Sequence, residues 1–154
     1  MIKNIHILLF IISFIFYNDS IFAQCHAKQI MNECKPNIPK PYKYDSFAIS
    51  EFAFNNIEKN IEVVFTAFVG QKYKLLFCSS GFQEQVEINI YDKTNRVKKG
   101  RKKLYDNSEG IDNNFWWFQP TKSGNYYIDY NIPKSIDGKE KKGCVVILIS
   151  RVGT

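Results

Sequence analysis

Acid–base or nucleophilic catalysis needs a positioned histidine or a matched pair of carboxylates. This sequence offers little of either. Its two histidines are His6 and His26. His6 falls in an apolar leader, and His26 stands beside Cys25 just past the end of that leader. A Ser-His-Asp or Cys-His site is therefore not expected. The motifs G-x-S-x-G and H-E-x-x-H and a phosphate-binding glycine loop do not occur. Glu84, Glu87, Asp106, Glu109, Asp112 and Asp129 could serve a glycosidase, but nothing singles out two of them. The expectation is a protein without catalysis and without a cofactor.

Three other groups could bind rather than react. Arg96-Val97-Lys98-Lys99-Gly100-Arg101-Lys102-Lys103 is a dense cationic run. Arg96, Lys98, Lys99, Arg101, Lys102 and Lys103 could hold an anionic partner: lipopolysaccharide phosphate, acidic polysaccharide or, least expected, nucleic acid. The plainer reading is a solvated loop whose charge guards an edge strand. Phe115, Trp117 and Tyr127 form a second group. Rings on a sheet face can stack on sugar C–H faces. The plainer reading is that the N-terminal segment or a second sheet covers them. Third, Asp106-Asn107-Ser108-Glu109-Gly110-Ile111-Asp112-Asn113 is rich in oxygen donors. Its spacing does not match an EF-hand calcium loop, and turn formation accounts for the same residues equally well. No metal is assigned.

Four cysteines, Cys25, Cys34, Cys78 and Cys144, lack the clustered spacing that zinc needs. Disulfides are expected. Cys78 closes one expected strand and Cys144 opens another, so Cys78–Cys144 is the preferred pair. It would close a loop of roughly 66 residues and contribute roughly 4 kcal/mol by chain entropy. That leaves Cys25 with Cys34. If the segment between them were a straight helix, their Cα atoms would lie about 13 Å apart, too far for a bridge. So either that segment is not a continuous helix, or the pairing crosses to the other two cysteines.

The elements that must position these residues come after an address. Met1–Ala23 has Lys3, an apolar run Ile5–Tyr17, then a polar stretch ending Ile21-Phe22-Ala23. It reads as a signal peptide cleaved after Ala23. The run is too short for a spanning helix, which needs about 20 residues. Export into an oxidising compartment, periplasmic or extracellular, agrees with the disulfide reading. The whole chain has 154 residues and a net charge of +6. Lys3 and Asp19 leave with the leader, so that charge is kept. One domain is expected, with enough apolar and aromatic content (45% and 16%) to build a core. Nucleic acid is not an expected partner for an exported chain.

From Phe47 the pattern has period two. Expected strands are Phe47–Phe54, Ile61–Val69, Lys72–Cys78, Val86–Tyr91, Lys102–Tyr105, Phe115–Phe118, Asn125–Ile132 and Gly143–Ser150. Gly70-Gln71 reads as a tight reversal joining two of them, with Gly70 free to take positive φ. Phe115–Phe118 and Asn125–Ile132 read as a hairpin around Pro120–Gly124. Alternation then puts Trp116, Phe118, Tyr126, Ile128 and Tyr130 toward the core. Phe115, Trp117, Tyr127 and Asp129 fall on the other side. Residues 24–46 carry Pro36, Pro39 and Pro41 and read as a partly irregular extension, with a helical turn at Ala27–Glu33. The sandwich domain is expected at 47–154.

A resemblance accompanies this reading. Val64-Phe65, Gly70-Gln71-Lys72-Tyr73-Lys74-Leu75, Ile88-Asn89-Ile90-Tyr91-Asp92 and Ser123-Gly124-Asn125-Tyr126-Tyr127-Ile128 resemble the bacterial pre-peptidase C-terminal domain. The likeness spans roughly Ile61–Tyr130. It implies a jelly-roll-like sandwich that serves secreted proteins as a non-catalytic module.

The expected fold is all-β, a single antiparallel β-sandwich of jelly-roll type with about eight strands and a short N-terminal extension. The expected function is a non-catalytic exported binding module for a glycan or an anionic envelope surface. The alternative is a structural or interaction protein that docks another exported protein.

Overall fold

The computed structural model describes residues 25–80, 85–97, 99–109 and 114–152. The expected leader lies outside them. Helix α1 (Ala27–Cys34) and a 3-10 turn (Lys35–Asn37) precede eight strands. These are β1 (Tyr42–Phe54), β2 (Lys59–Ala67), β3 (Tyr73–Ser80), β4 (Glu87–Tyr91), β5 (Lys103–Asp106), β6 (Phe115–Phe118), β7 (Gly124–Ile132) and β8 (Lys141–Val152). No helix among the described residues is long and apolar enough to cross a membrane.

Two antiparallel sheets result, β1-β8-β3-β6 and β2-β7-β4-β5. The pairs nest: β1 with β8, β2 with β7, β3 with β6 and β4 with β5. That is the order of a jelly roll, a long antiparallel ribbon rolled into two layers. Between the layers lie Phe52, Phe54, Phe65, Leu75, Phe77, Ile88, Ile90, Ile128, Tyr130 and Ile147, all buried. Each such side chain contributes about 1.5–3 kcal/mol when fully buried.

The nested order corrects the expected β6–β7 hairpin and makes the expected tight reversal at Gly70-Gln71 a crossing between sheets. β2 and β3 lie in different sheets, and so do β6 and β7. Gly70 does take positive φ (85°), and the Gln71 N–H donates to the Phe68 carbonyl at 3.2 Å. The turn it makes is an arch between layers rather than a hairpin. The β6–β7 connection is a second arch. Four rings fill the space beneath them: Phe118 lies 4.7 Å from Tyr126 and 6.1 Å from Phe65, with Tyr73 beyond it. Alternation decides which face a residue takes, but not which strand it pairs with. The inward set Trp116, Phe118, Tyr126, Ile128 and Tyr130 is accordingly as expected. Among the described residues, β4 and β5, which flank the cationic run, pair as a hairpin.

The first strand also begins earlier than expected. Tyr42 already pairs with Val152, so the sheet reclaims residues assigned to the extension. A bulge between Tyr44 and Ser46 moves the even-numbered residues from the outer face, where Tyr44 lies, to the inner face, where Phe52 and Phe54 lie.

The preferred disulfide pairing is corrected as well. The bridges are Cys25–Cys144 and Cys34–Cys78, with Cα separations of 5.6 and 6.5 Å. α1 is a continuous helix, so its two ends cannot meet. Each end is stapled to a neighbouring strand instead. Ala27, Ile30, Met31 and Cys34 form one stripe of the helix, packed over Leu76, Cys78, Cys144, Val146 and Leu148.

Candidate functional site

The outer face of the β1-β8-β3-β6 sheet is built from alternate residues of each strand. The register sets Tyr44, Ser150, Lys74 and Trp117 in one row across it. Leu148, Leu76 and Phe115 occupy the next row. α1 covers the second row and leaves the first at its margin. β3 is central and buried along most of its length, so Lys74 is only 6% exposed.

Lys74 Nζ lies 3.9 Å from the Phe115 ring centroid and 4.3 Å from that of Trp117. The two rings stand edge to face at 86°. Tyr42 meets Trp117 edge-on at 4.9 Å. An ammonium over aromatic faces gains attraction from the ring quadrupoles. Burial nevertheless pushes the Lys74 pKa down, because desolvation penalises the charged form. No carboxylate forms an ion pair with it among the described residues. The side chain lines a cavity of about 520 Å³ between α1, β3 and β6. Glu33 lines the same cavity, and its Oε1 accepts from Gln29 Nε2 at 2.8 Å. Trp117 remains 48% exposed.

Of the three expected aromatic residues, Phe115 and Trp117 share this face and Tyr127 does not. Tyr127 pairs with Val64 and Tyr91 in the other sheet. The arch between β6 and β7 carries it to the opposite side of the molecule. The three rings form no single platform. α1 and its neighbours partly cover Phe115.

The cationic residues also divide. Lys98 lies outside the described residues. Arg96, Lys99 and Lys102 are exposed. Arg101 folds back over the second sheet and donates to both oxygens of Asp129, at 2.7 and 2.8 Å, and to Glu62 at 3.1 Å. Its guanidinium carbon sits 3.6 Å over the Tyr91 ring. The Asp129 hydrogen bond raises the Arg101 pKa further. Glu62 also accepts from Thr94 Oγ1 (2.7 Å) and the Asn95 N–H (2.5 Å). The hairpin loop is thus fastened down by acids of the sheet beneath it. Lys103 pairs with Asp106 at 2.7 Å.

The oxygen-rich segment is explained by local structure as far as it is described. Asp106 Oδ1 accepts from the Ser108 N–H and hydroxyl, at 2.8 and 2.6 Å. With the Lys103 ammonium first in effect, these bonds hold its pKa at about 2. Buried Asn107 accepts from the Ile88 N–H at 2.7 Å and donates to the Val86 carbonyl at 3.0 Å. Residues 110–113 lie outside the described set. No group of potential metal ligands occurs among the described residues. Glu87 accepts from Asn89 Nδ2 at 2.6 Å, and Asp129 is held by Arg101. Glu84 and Asp112 lie outside the described residues.

Tyr42 and Lys74 are passed over as candidate site residues in the sequence reading. Lys74 could have been found by alternation, since it shares a face with Leu76 and Cys78 and not with Tyr73, Leu75 and Phe77.

No family model matches the chain, and no curated protein matches it significantly. Solved structures with a partial likeness to this chain include periplasmic inhibitors of g-type lysozyme. PliG from Aeromonas hydrophila is 16% identical, with 67% of this chain and 85% of that chain covered and a TM-score of 0.45. PliG from Salmonella Typhimurium is 19% identical, with coverages of 70% and 93% and a TM-score of 0.41. A PliG mutant from Escherichia coli is 16% identical, with coverages of 73% and 92% and a TM-score of 0.37. Likeness at this level assigns neither a family nor an activity.

Proposed function

We propose that the protein is a non-catalytic, exported interaction protein that docks another exported protein through the Tyr42–Trp117–Lys74 face. One observation carries this reading: a nearly buried lysine clamped between two rings, with no acidic partner among the described residues. A partner carboxylate reaching Lys74 would supply the missing counter-charge. Trp117 and Tyr42 would supply the aromatic anchor that protein interfaces favour. Two disulfides and the signal-like leader support export to an oxidising compartment. The pre-peptidase C-terminal resemblance is also to a non-catalytic exported module.

Glycan recognition is the less favoured reading. Sugar stacking wants an open ring face, and here Phe115 and Trp117 are set edge to face around a cation.

The test is site-specific photo-crosslinking in the producing cell, with the probe at position 117 and a control at position 57. A single exported protein captured from 117 and not from 57 is the expected result. The purified pair should then lose binding in Trp117→Ala and Lys74→Met. A g-type lysozyme, the target of the periplasmic inhibitors, is one purified partner to titrate. Neutral-glycan binding that Trp117→Ala abolishes, without any protein captured, would overturn the proposal.

A further inference from the structure

Three connections meet at one pole of the sandwich: the β2–β3 arch, the β6–β7 arch and the β4–β5 hairpin loop. The register puts them together, because Ala67 faces Gly124, Tyr127 faces Tyr91 and Tyr91 faces Lys103. The Val69 N–H donates to Ser123 Oγ at 2.9 Å, which ties the two arches. Phe68 and Val69 are each 58% exposed at the tip of the first arch, and Val97 is 39% exposed on the hairpin loop. Lys72, Arg96, Lys99, Lys102 and Lys122 are exposed around them. None of these cations forms an ion pair among the described residues. Asp92 is the single carboxylate in the three connections, and its Oδ1 accepts from the Lys102 N–H at 2.7 Å.

The opposite pole is different in kind. Its connections carry Glu58, Asp137 and Glu140 among the lysines, and Asp137 pairs with Lys141 at 3.4 Å. Charge is therefore unevenly distributed along the long axis. The fastening of Arg101 to Asp129 and Glu62 matters here too. It fixes the base of the hairpin loop over the sheet, while Arg96 and Lys99 stay exposed.

A cationic loop alone would bind any polyanion, and an apolar tip alone would bind neutral surfaces weakly. The two together select an interface that is apolar beneath and anionic above. We propose that this pole docks peripherally on an anionic phospholipid bilayer. Phe68, Val69 and Val97 enter the headgroup region, and the surrounding cations face the lipid phosphates. Apolar insertion supplies a part that salt does not screen. The cations supply a part that falls off within a Debye length. This surface adjoins the Lys74 face at Lys72 but uses different side chains, so either can fail without the other.

The test is co-sedimentation of the exported chain with phosphatidylcholine vesicles, with or without phosphatidylglycerol, at low and high salt. Binding is expected only with phosphatidylglycerol, and weaker in high salt. Phe68→Ser with Val69→Ser should lower partitioning about tenfold or more. Arg96→Glu with Lys99→Glu should remove most of the salt-dependent part. Ile57→Ser, exposed near the opposite pole, and Lys74→Met should sediment as the wild type does. Melting temperatures of all variants check that the fold persists. Absence of sedimentation with phosphatidylglycerol overturns the proposal. So does unchanged binding of the Phe68/Val69 variant, which would mean that the pole recognises polyanions rather than a bilayer.

Discussion

The two sheets turn very different outer faces to their surroundings, and each is covered in its own way. On the β1-β8-β3-β6 sheet the face is apolar: Leu76, Val146 and Leu148 lie under α1, and two disulfides hold the cover. On the β2-β7-β4-β5 sheet the face is polar. Asn60 pairs with Asn131, Thr66 with Asn125, and Glu62 and Asp129 hold Arg101. There the cover is the chain's own hairpin loop, held by charge and hydrogen bonds. A short helix cannot sustain itself or its docking without help. It needs the covalent staples. The hairpin loop is already anchored by strands at both ends and needs only a clasp.

The comparison is broken most severely by reduction. The Cys25–Cys144 and Cys34–Cys78 bridges span 119 and 44 residues. By chain entropy they contribute about 5 and about 4 kcal/mol. Reduction should lower the melting temperature sharply and expose the face beneath α1, seen as new binding of a hydrophobic dye. An unchanged melt would mean the helix is held by packing alone. Next in size is Arg101→Ala, which leaves the nearly buried Asp129 carboxylate without its partner. The expected loss is about 3 kcal/mol in urea unfolding. Arg101→Lys should recover only part, because one ammonium cannot replace the two-pronged contact.

Smaller effects sharpen the contrast. Lys74→Met removes a desolvated charge and should shift stability by no more than about 1 kcal/mol, in either direction. A large loss there would assign Lys74 a structural role instead of a binding one. The smallest effect is acid sensitivity at Asp106. Its pKa of about 2 lies below the ordinary carboxylate value because Lys103 and Ser108 favour the charged form. Its contribution is therefore present above about pH 4 and lost as pH falls toward 2. Melting curves across that range should show the loss, and Asp106→Asn should flatten it. Asp137, held low mainly by Ser135, acts in the same direction and supplies the residual slope.

Much of the fold was readable from local pattern. Alternation, continuous apolar runs such as Val145–Ile149 and turn residues locate the eight strands, though not the start of the first, and Trp116, Phe118, Tyr126, Ile128 and Tyr130 face inward as alternation requires. The two arches were not readable, since a tight turn such as Phe68–Gln71 serves a hairpin and an arch equally well. The candidate site suffered most from this. Placing β7 beside β6 put Tyr127 next to Trp117, and the true pairing of β6 with β3 brings Lys74 there instead.

What the sequence determined by itself is what local periodicity and composition can encode. That covers strand positions, the face each residue takes, the disulfide-forming cysteines and the cationic hairpin. Only the tertiary structure decided the partners: which strands pair, which cysteines bridge, and which cations are neutralised. Each of those choices joins residues far apart in the chain, as Cys25 with Cys144 or Arg101 with Glu62. Such contacts are selected by how two sheets and a helix pack at once, which no window of sequence contains.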